Sequence, residues 1–162
     1  YQYPNVRFLL VGPFDTNPSA LTREELSVYE GDGTIEYFGE QTDVIPFLRQ
    51  CTVFVLPSYR EGTPKTVLEA MSSGRAVITT DAPGCRETVT DGLNGFLVPI
   101  KDIDALSDKM LYMINHNDEA KKMALEGRKI ALEKFDVKLV NQKIINTMKL
   151  RSNENELVQQ NS

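Results

Sequence analysis

The segment that decides the fold is Leu56-Pro57-Ser58-Tyr59-Arg60-Glu61-Gly62-Thr63-Pro64-Lys65-Thr66-Val67-Leu68-Glu69-Ala70-Met71. The apolar run Val53-Phe54-Val55-Leu56 reads as a buried strand, so the residues after it leave that strand's carboxyl end. Ligands of open parallel sheets bind at that edge. Gly62 permits close approach or a positive φ. Thr63 is expected as the N-cap of the next helix and Pro64 as its first residue, where a missing N–H costs nothing. The N–H groups of Lys65 and Thr66 then point out of the helix start, where the macrodipole favours an anion. The helix has two faces: Val67, Leu68, Ala70 and Met71 are apolar, whereas Lys65, Thr66 and Glu69 are polar neighbours at helical spacing. A carboxylate at Glu69 accepts two hydrogen bonds, the geometry a ribose diol offers, and Glu61 lies ahead of the helix to meet a group beyond the phosphates. The pattern suits a molecule shaped ribose–diphosphate–sugar.

Outward from this segment, short apolar runs recur at residues 6–11 (VRFLLV), 35–38, 76–79 and 96–98. Helix signals separate them. Thr22 with Glu25 makes a capping box, residues 43–51 carry apolar side chains at Val44, Phe47 and Leu48, and residues 64–73 form a helix that Gly74 stops. This rhythm predicts an α/β, Rossmann-like parallel sheet with helices on both faces. After Pro99 the strands cease, and three helices follow from Ile103, Leu106, Met110 and Met113, from Ala120, Met123, Gly127 and Ile130, and from Val137, Val140, Ile144 and Met148. Residues 1–150 are expected to form one domain and residues 151–162, nearly all polar, a tail. The opening Tyr1-Gln2-Tyr3-Pro4-Asn5 reads as a turn in mid-fold, so the usual first strand and helix are expected to be missing. In the usual order that strand lies between residues 6–11 and 53–56; its absence leaves either two open edges or a direct pairing of those two strands.

With 162 residues, 41% hydrophobic and 25% charged, the chain can bury a core of one domain. A net charge of −5 argues against phosphate-backbone binding, so no nucleic-acid partner is expected. No apolar run approaches the roughly 20 residues a membrane helix needs, and no export signal opens the chain, which together predict a cytoplasmic protein. Cys51 and Cys85 with the single His116 cannot assemble a Cys/His metal site and read as reduced, packed thiols.

Each notable residue also has a plainer reading. Glu69 could pair with Lys65 on a solvated helix face for about 0.3–0.5 kcal/mol, and Glu61 could be an ordinary loop carboxylate. Asp102-Ile103-Asp104 has the form of a metal-binding Asp-x-Asp, but it opens an amphipathic helix, where acidic residues favour the first turn. His116 suits a helix end. Arg60, Lys65 and Arg86 either face a diphosphate or are solvated, and Glu87 either lines a sugar pocket or begins a helix. No Ser–His–Asp set is available.

Taken together, Glu61 to Glu69 forms a Glu-x7-Glu motif, and the chain resembles the C-terminal, donor-binding domain of retaining glycosyltransferases of family four, with the GT-B fold. The resemblance runs from about Val6 to Pro99. It includes Phe8-Leu9-Leu10-Val11-Gly12, Phe38-Gly39, Val53-Phe54-Val55-Leu56-Pro57-Ser58, Glu69-Ala70-Met71 with Gly74, Pro83-Gly84-Cys85-Arg86-Glu87 and Asp91-Gly92-Leu93-Asn94-Gly95-Phe96-Leu97-Val98. It implies that Glu69 binds the ribose hydroxyls and that Glu61, the catalytic candidate, contacts a hydroxyl of the transferred sugar. The backbone of Gly62, Thr63, Pro64, Lys65 and Thr66 would touch the diphosphate and sugar. Gln41 would hold the base through its main chain, and Ser58 joins the donor-binding set. The Arg and Lys that bind phosphate in the family, on the loop after its first strand, have no counterpart here.

The expected function is therefore the donor half of a longer glycosyltransferase that moves a hexose or N-acetylhexosamine from a UDP-sugar to a glycan or lipid-linked acceptor. A nucleotide-sugar co-substrate without metal or other cofactor is implied. The acceptor binds a missing N-terminal domain, the full-length enzyme works in the cytoplasm or peripherally at the inner membrane face, and the isolated fragment is expected to be poorly active. The competing readings are a GT-B-fold phosphorylase, a nucleotide-sugar epimerase and a non-catalytic nucleotide-binding module.

Overall fold

The computed structural model describes residues 3–15, 17 and 20–147. In chain order the elements are β1 (Phe8–Leu10), α1 (Arg23–Gly31), β2 (Ile35–Tyr37), α2 (Ile45–Leu48), β3 (Val53–Leu56), α3 (Lys65–Ser72), β4 (Ala76–Thr80), β5 (Gly95–Val98), α4 (Ile103–Asn115), α5 (Asn117–Lys134) and α6 (Val137–Thr147). Every predicted strand forms, and every pairing is parallel. The strands do not join into one sheet, however. β1 pairs with β2, with Leu9 opposite Glu36, while β3, β4 and β5 make a separate sheet with β4 in the centre. Of the two outcomes expected for the gap, direct pairing of β1 with β3 is not the one adopted. Each keeps an edge with no partner strand among the described residues.

Helices cover both faces of the β3–β4–β5 sheet, as the alternation predicts. Ala76 and Ile78 of β4 pack with Phe96, Val98, Met113 and Met123 on one side. Val77 packs with Val67, Ala70, Met71 and Ala131 on the other. A strand buried on both faces must be apolar at every position, and all five residues of β4 are buried. Each large side chain removed from water here is worth about 1.5–3 kcal/mol. α3 ends as the glycine signal requires: Gly74 takes φ +68°, its N–H donates to the Met71 carbonyl, and the Arg75 N–H donates to that of Ala70. The capping box of α1 is complete, with the Glu25 N–H donating to Thr22 Oγ1 at 3.2 Å and the Thr22 N–H to Glu25 Oε2 at 2.8 Å.

Several expectations need correction. The run at residues 6–11 reads as a buried strand, but only Phe8–Leu10 pairs, and Phe8 and Leu10 are exposed, because no described helix packs closely over β1. The helix expected over residues 43–51 shortens to Ile45–Leu48: Asp43 accepts the Ile45 N–H at 2.9 Å, and the chain must turn at once into β3. Residues 83–88 form successive turns rather than a helix. Met148 and residues 151–162 lie outside the described residues.

The plainer readings hold at three places. Asp102 caps α4 by accepting the Ala105 N–H at 2.9 Å. His116 closes α4, its Nδ1 lying 2.8 Å from the Tyr112 carbonyl and its ring stacked on Tyr112. Cys51 and Cys85 are free thiols, and burial pushes the Cys51 thiol up from its ordinary value. No described helix is long and apolar enough to cross a membrane.

Candidate functional site at the carboxyl edge of the three-stranded sheet

The segment from Pro57 to Pro64 leaves β3 at the sheet's carboxyl edge and leads directly into α3. The helix begins one residue later than Thr63 and Pro64 predict. Pro64, with φ −70° and ψ 113°, is the N-cap, and no side chain caps the helix. Thr63 is exposed and stays outside, because the extended Pro64 separates it from the first turn. The shift leaves the anion-favouring geometry in place. The N–H groups of Val67 and Leu68 turn back to the Pro64 carbonyl, whereas Lys65 and Thr66 are the first two helical residues, whose N–H groups have no intrahelical acceptor. Glu61, Gly62, Thr63 and Lys65 are all exposed, so the helix tip opens to solvent.

Glu61 is held from behind. Ser58 Oγ donates to Glu61 Oε1 at 2.8 Å, and the Glu61 N–H donates to the Pro83 carbonyl at 3.2 Å. Glu69 lies one turn into α3, partly shielded, with its Oε1 3.3 Å from Lys65 Nζ. The helical ion pair expected of a solvated face is thus present. It does not exclude a ligand, because Lys65 is nearly fully exposed and such a pair is weak. Gln41 sits on the loop after β2, where its Nε2 donates to the Phe38 carbonyl at 2.7 Å. Among the described contacts none joins Gln41 to the β3–α3 segment, nor Glu61 to Glu69. The site is an open edge rather than a closed cluster.

Two assignments change and one is narrowed. Gly62 has no positive φ, and a side chain there would meet open space; the close approach at this loop comes from Gly84, which faces the Gly62 carbonyl. Arg86 is exposed, as the solvated reading has it, and its guanidinium is engaged by Asp81: Nε pairs with Asp81 Oδ1 at 2.9 Å and Nη2 donates to the Asp81 carbonyl. Glu87 does not begin a helix; its Oε2 accepts the Gly84 N–H at 2.6 Å and closes the Pro83–Gly84 turn.

Thr79 and Thr80, buried at the end of β4, were not predicted to matter and bind this loop: Thr79 Oγ1 donates to the Leu56 carbonyl at 2.8 Å and Thr80 Oγ1 to the Ser58 carbonyl. Two hydroxyls in succession at the end of an otherwise apolar buried strand were the available signal. Beside the loop, a cleft of about 230 Å³ is lined by Pro57, Tyr59, Thr80, Pro99, Lys101 and Asp102, with Lys101 Nζ 5.4 Å from the centre of the Tyr59 ring. Among the described residues no group of His, Cys, Asp and Glu is placed to hold a metal ion.

Fold and loop placement define an α/β domain that presents the exposed start of a helix, flanked in sequence by two carboxylates, at the carboxyl edge of a parallel sheet. The chain belongs to the family of glycosyl transferases group 1, which it matches over residues 1–116. It is 33% identical over 138 residues to the N,N'-diacetylbacillosaminyl-diphospho-undecaprenol alpha-1,3-N-acetylgalactosaminyltransferase of Campylobacter jejuni, covering 85% of this chain and 35% of that protein. It is 29% identical to the capsular polysaccharide biosynthesis glycosyltransferase CapM of Staphylococcus aureus, covering 84% of this chain and 36% of that one. Its fold superposes with a TM-score of 0.78 on the crystal structure of HepE from Anabaena in complex with UDP, at 24% identity, covering 91% of this chain and 42% of HepE. The chain therefore spans about a third of the length of the curated relatives it matches.

Proposed function

We propose that this chain is the donor-binding half of a retaining glycosyltransferase that moves a hexose or N-acetylhexosamine from a UDP-sugar to a glycan or lipid-linked acceptor. The observation that carries the reading is the exposed start of α3, with N–H groups at Lys65 and Thr66 available to an anion and Glu61 and Glu69 on either side in sequence. Membership in the glycosyl transferases group 1 family supports it, as do the UDP bound to HepE and the lipid-linked acceptor named for the Campylobacter relative.

In this reading Glu69 accepts hydrogen bonds from the ribose hydroxyls, and the backbone from Gly62 to Thr66 meets the diphosphate. Ser58 fixes Glu61 against a hydroxyl of the sugar, and the main chain at Gln41 holds the base. The bond from the anomeric carbon to the diphosphate oxygen breaks on the face where the bond to the acceptor oxygen forms. This half stabilises the departing diphosphate electrostatically and supplies no general base. The N–H groups of α3 and the Lys65 ammonium take the leaving charge, so the reading needs no metal. The acceptor is held by parts of the protein outside this sequence, and the whole enzyme works on the cytoplasmic side, peripherally at the membrane face.

Calorimetric titration of UDP, GDP and ADP into the wild-type chain and Glu69→Ala tests the assignment. UDP is expected to bind most tightly. Its affinity should fall about ten- to a hundredfold in the variant, as the loss of hydrogen bonds to a charged group of roughly 1.5–3 kcal/mol requires. The lost Lys65 pair, worth about 0.3–0.5 kcal/mol, cannot account for a change of that size. Equal binding of all three nucleotides, unmoved by the substitution, overturns the proposal.

A further inference from the structure

The loop that carries Glu61 is held partly from outside itself. Its side facing β4 is laced to the end of that strand and to the loop after it: the Ser58 carbonyl accepts from Thr80 Oγ1, and the Glu61 N–H donates to the Pro83 carbonyl. Between these two points the backbones touch. Gly84 takes φ +88°, and a Cβ built on it would lie 1.9 Å from the Gly62 carbonyl oxygen and 2.3 Å from that of Glu61. Real Cβ atoms do not come so close to backbone oxygen, and neither neighbour is a flexible side chain that can swing away. The turn is fixed on its other side as well: Glu87 Oε2 accepts the Gly84 N–H, and Arg86 is clamped to Asp81. The Gly84 turn is a wall, and the Glu61–Gly62 peptide rests on it.

We infer that Gly84 is a positioning residue for the sugar end of the site: by having no side chain it lets Glu61 and Gly62 seat against the Pro83–Gly84 turn and sets where the Glu61 carboxylate stands. The inference rests on the proposed reading of Glu61 as the sugar contact. Its consequence is asymmetric. Glu69 and the first N–H groups of α3 belong to a helix packed on β4 through Val67, Ala70 and Met71, whereas the atoms nearest a Cβ at Gly84 are those of Glu61 and Gly62. A side chain at position 84 should therefore disturb recognition of the sugar more than that of the nucleotide, whose diphosphate also meets Lys65 and Thr66 on α3 and whose ribose meets Glu69.

The test uses Gly84→Ala with Gly33→Ala as its control. Gly33 has a similar φ of +78° but open space where its Cβ would go, so it carries the same backbone strain without the collision. Amide NMR spectra and calorimetry with UDP and UDP-glucose are recorded on the wild-type chain and both variants. In Gly84→Ala the amides of residues 58–63 should move, and the ratio of UDP-glucose to UDP affinity should fall about tenfold or more, the scale of a misplaced contact. Gly33→Ala should leave both unchanged. Should Gly84→Ala not fold, Thr80→Val removes the strut to the Ser58 carbonyl at nearly constant volume and should shift the same amides and the same ratio, by less. Unmoved loop amides in a folded Gly84→Ala, or moved amides with an intact affinity ratio, overturn the inference. Failure of the donor reading looks different: the wild-type chain then binds UDP-glucose no better than it binds GDP or ADP. In that case moved loop amides in Gly84→Ala still support Gly84 as the residue that seats Glu61, and unmoved ones overturn it.

Discussion

In β4 all five residues are buried, whereas in β1 two of the three are exposed, although both strands read as continuous apolar runs. The difference lies in what covers them. β4 runs between β3 and β5, with α4 and the first part of α5 on one face and α3 and the last part of α5 on the other. β1 has β2 along one edge, and its close packing goes little further. The site's architecture follows this division. The Glu61 and Glu69 segment rises from the well-packed sheet, where Thr79, Thr80 and Gly84 hold its backbone. Gln41 rises from the two-stranded unit, tied to the neighbouring half by contacts such as Phe38 against Phe47, 4.9 Å between ring centres. In the proposed reading the sugar and phosphate end rests on the well-packed sheet and the base end on the less densely packed unit, which is expected to open more easily.

The largest effect this comparison predicts is a contrast in core truncation. Met71 is fully buried in α3, and Met71→Ala is expected to cost about 2–5 kcal/mol, lost transfer energy plus the cavity left behind. Leu9, only partly buried in β1, should cost clearly less when changed to Ala, because part of its surface already meets water. Urea unfolding of both variants measures the contrast. Equal losses would show that the two-stranded unit is packed as tightly as the rest.

The sequence carried the strands because each is a contiguous apolar run, and it carried α1 and the end of α3 because a capping box and a stop glycine are local chemistry. It did not carry the exposure of Phe8 and Leu10, since an apolar run announces that a strand can be buried and not whether any helix lies above it. The site motif was legible for the same reason as the strands: Glu61 to Glu69 lie on one short stretch. The N-cap slipped from Thr63 to Pro64 because a favourable capping side chain counts only if the next residue turns helical, and Pro64 stays extended. A glycine at position 62 suggests close approach or a positive φ, but both belong to Gly84, some twenty residues on. That contact joins two loops from neighbouring strands, and no local periodicity encodes it.

A smaller effect sharpens the contrast between the two units. Thr22→Ala breaks the α1 capping box and should cost about 1 kcal/mol. α1 packs mainly on β2, so the loss should appear locally, as roughly fivefold faster hydrogen exchange in the α1 amides. The urea midpoint reported by the β3–β4–β5 core should stay where it is. If the midpoint moves by the full cost of the cap, the two units unfold together and the division drawn here is too sharp.

The smallest effect concerns the clamp across β1 and β2. Arg7 Nε and Nη2 meet the two carboxylate oxygens of Glu36 at 2.6 and 2.7 Å, a two-pronged pair on an exposed surface. Hydrogen bonding from Arg7 holds the Glu36 carboxyl below its usual range. A carboxylate whose folded pKa is depressed contributes stability that is complete above its unfolded pKa and disappears as pH falls through the folded one. Glu36→Gln should therefore speed exchange of the β1–β2 ladder amides slightly at neutral pH, in step with rising salt in the wild type. At a pH low enough to protonate Glu36, wild type and variant should exchange alike. Because both partners face solvent, the difference at neutral pH should be well below that of Thr22→Ala. A Glu36→Gln effect that persists at acid pH would assign the hold on β1 to packing under the strands rather than to the charge pair above them.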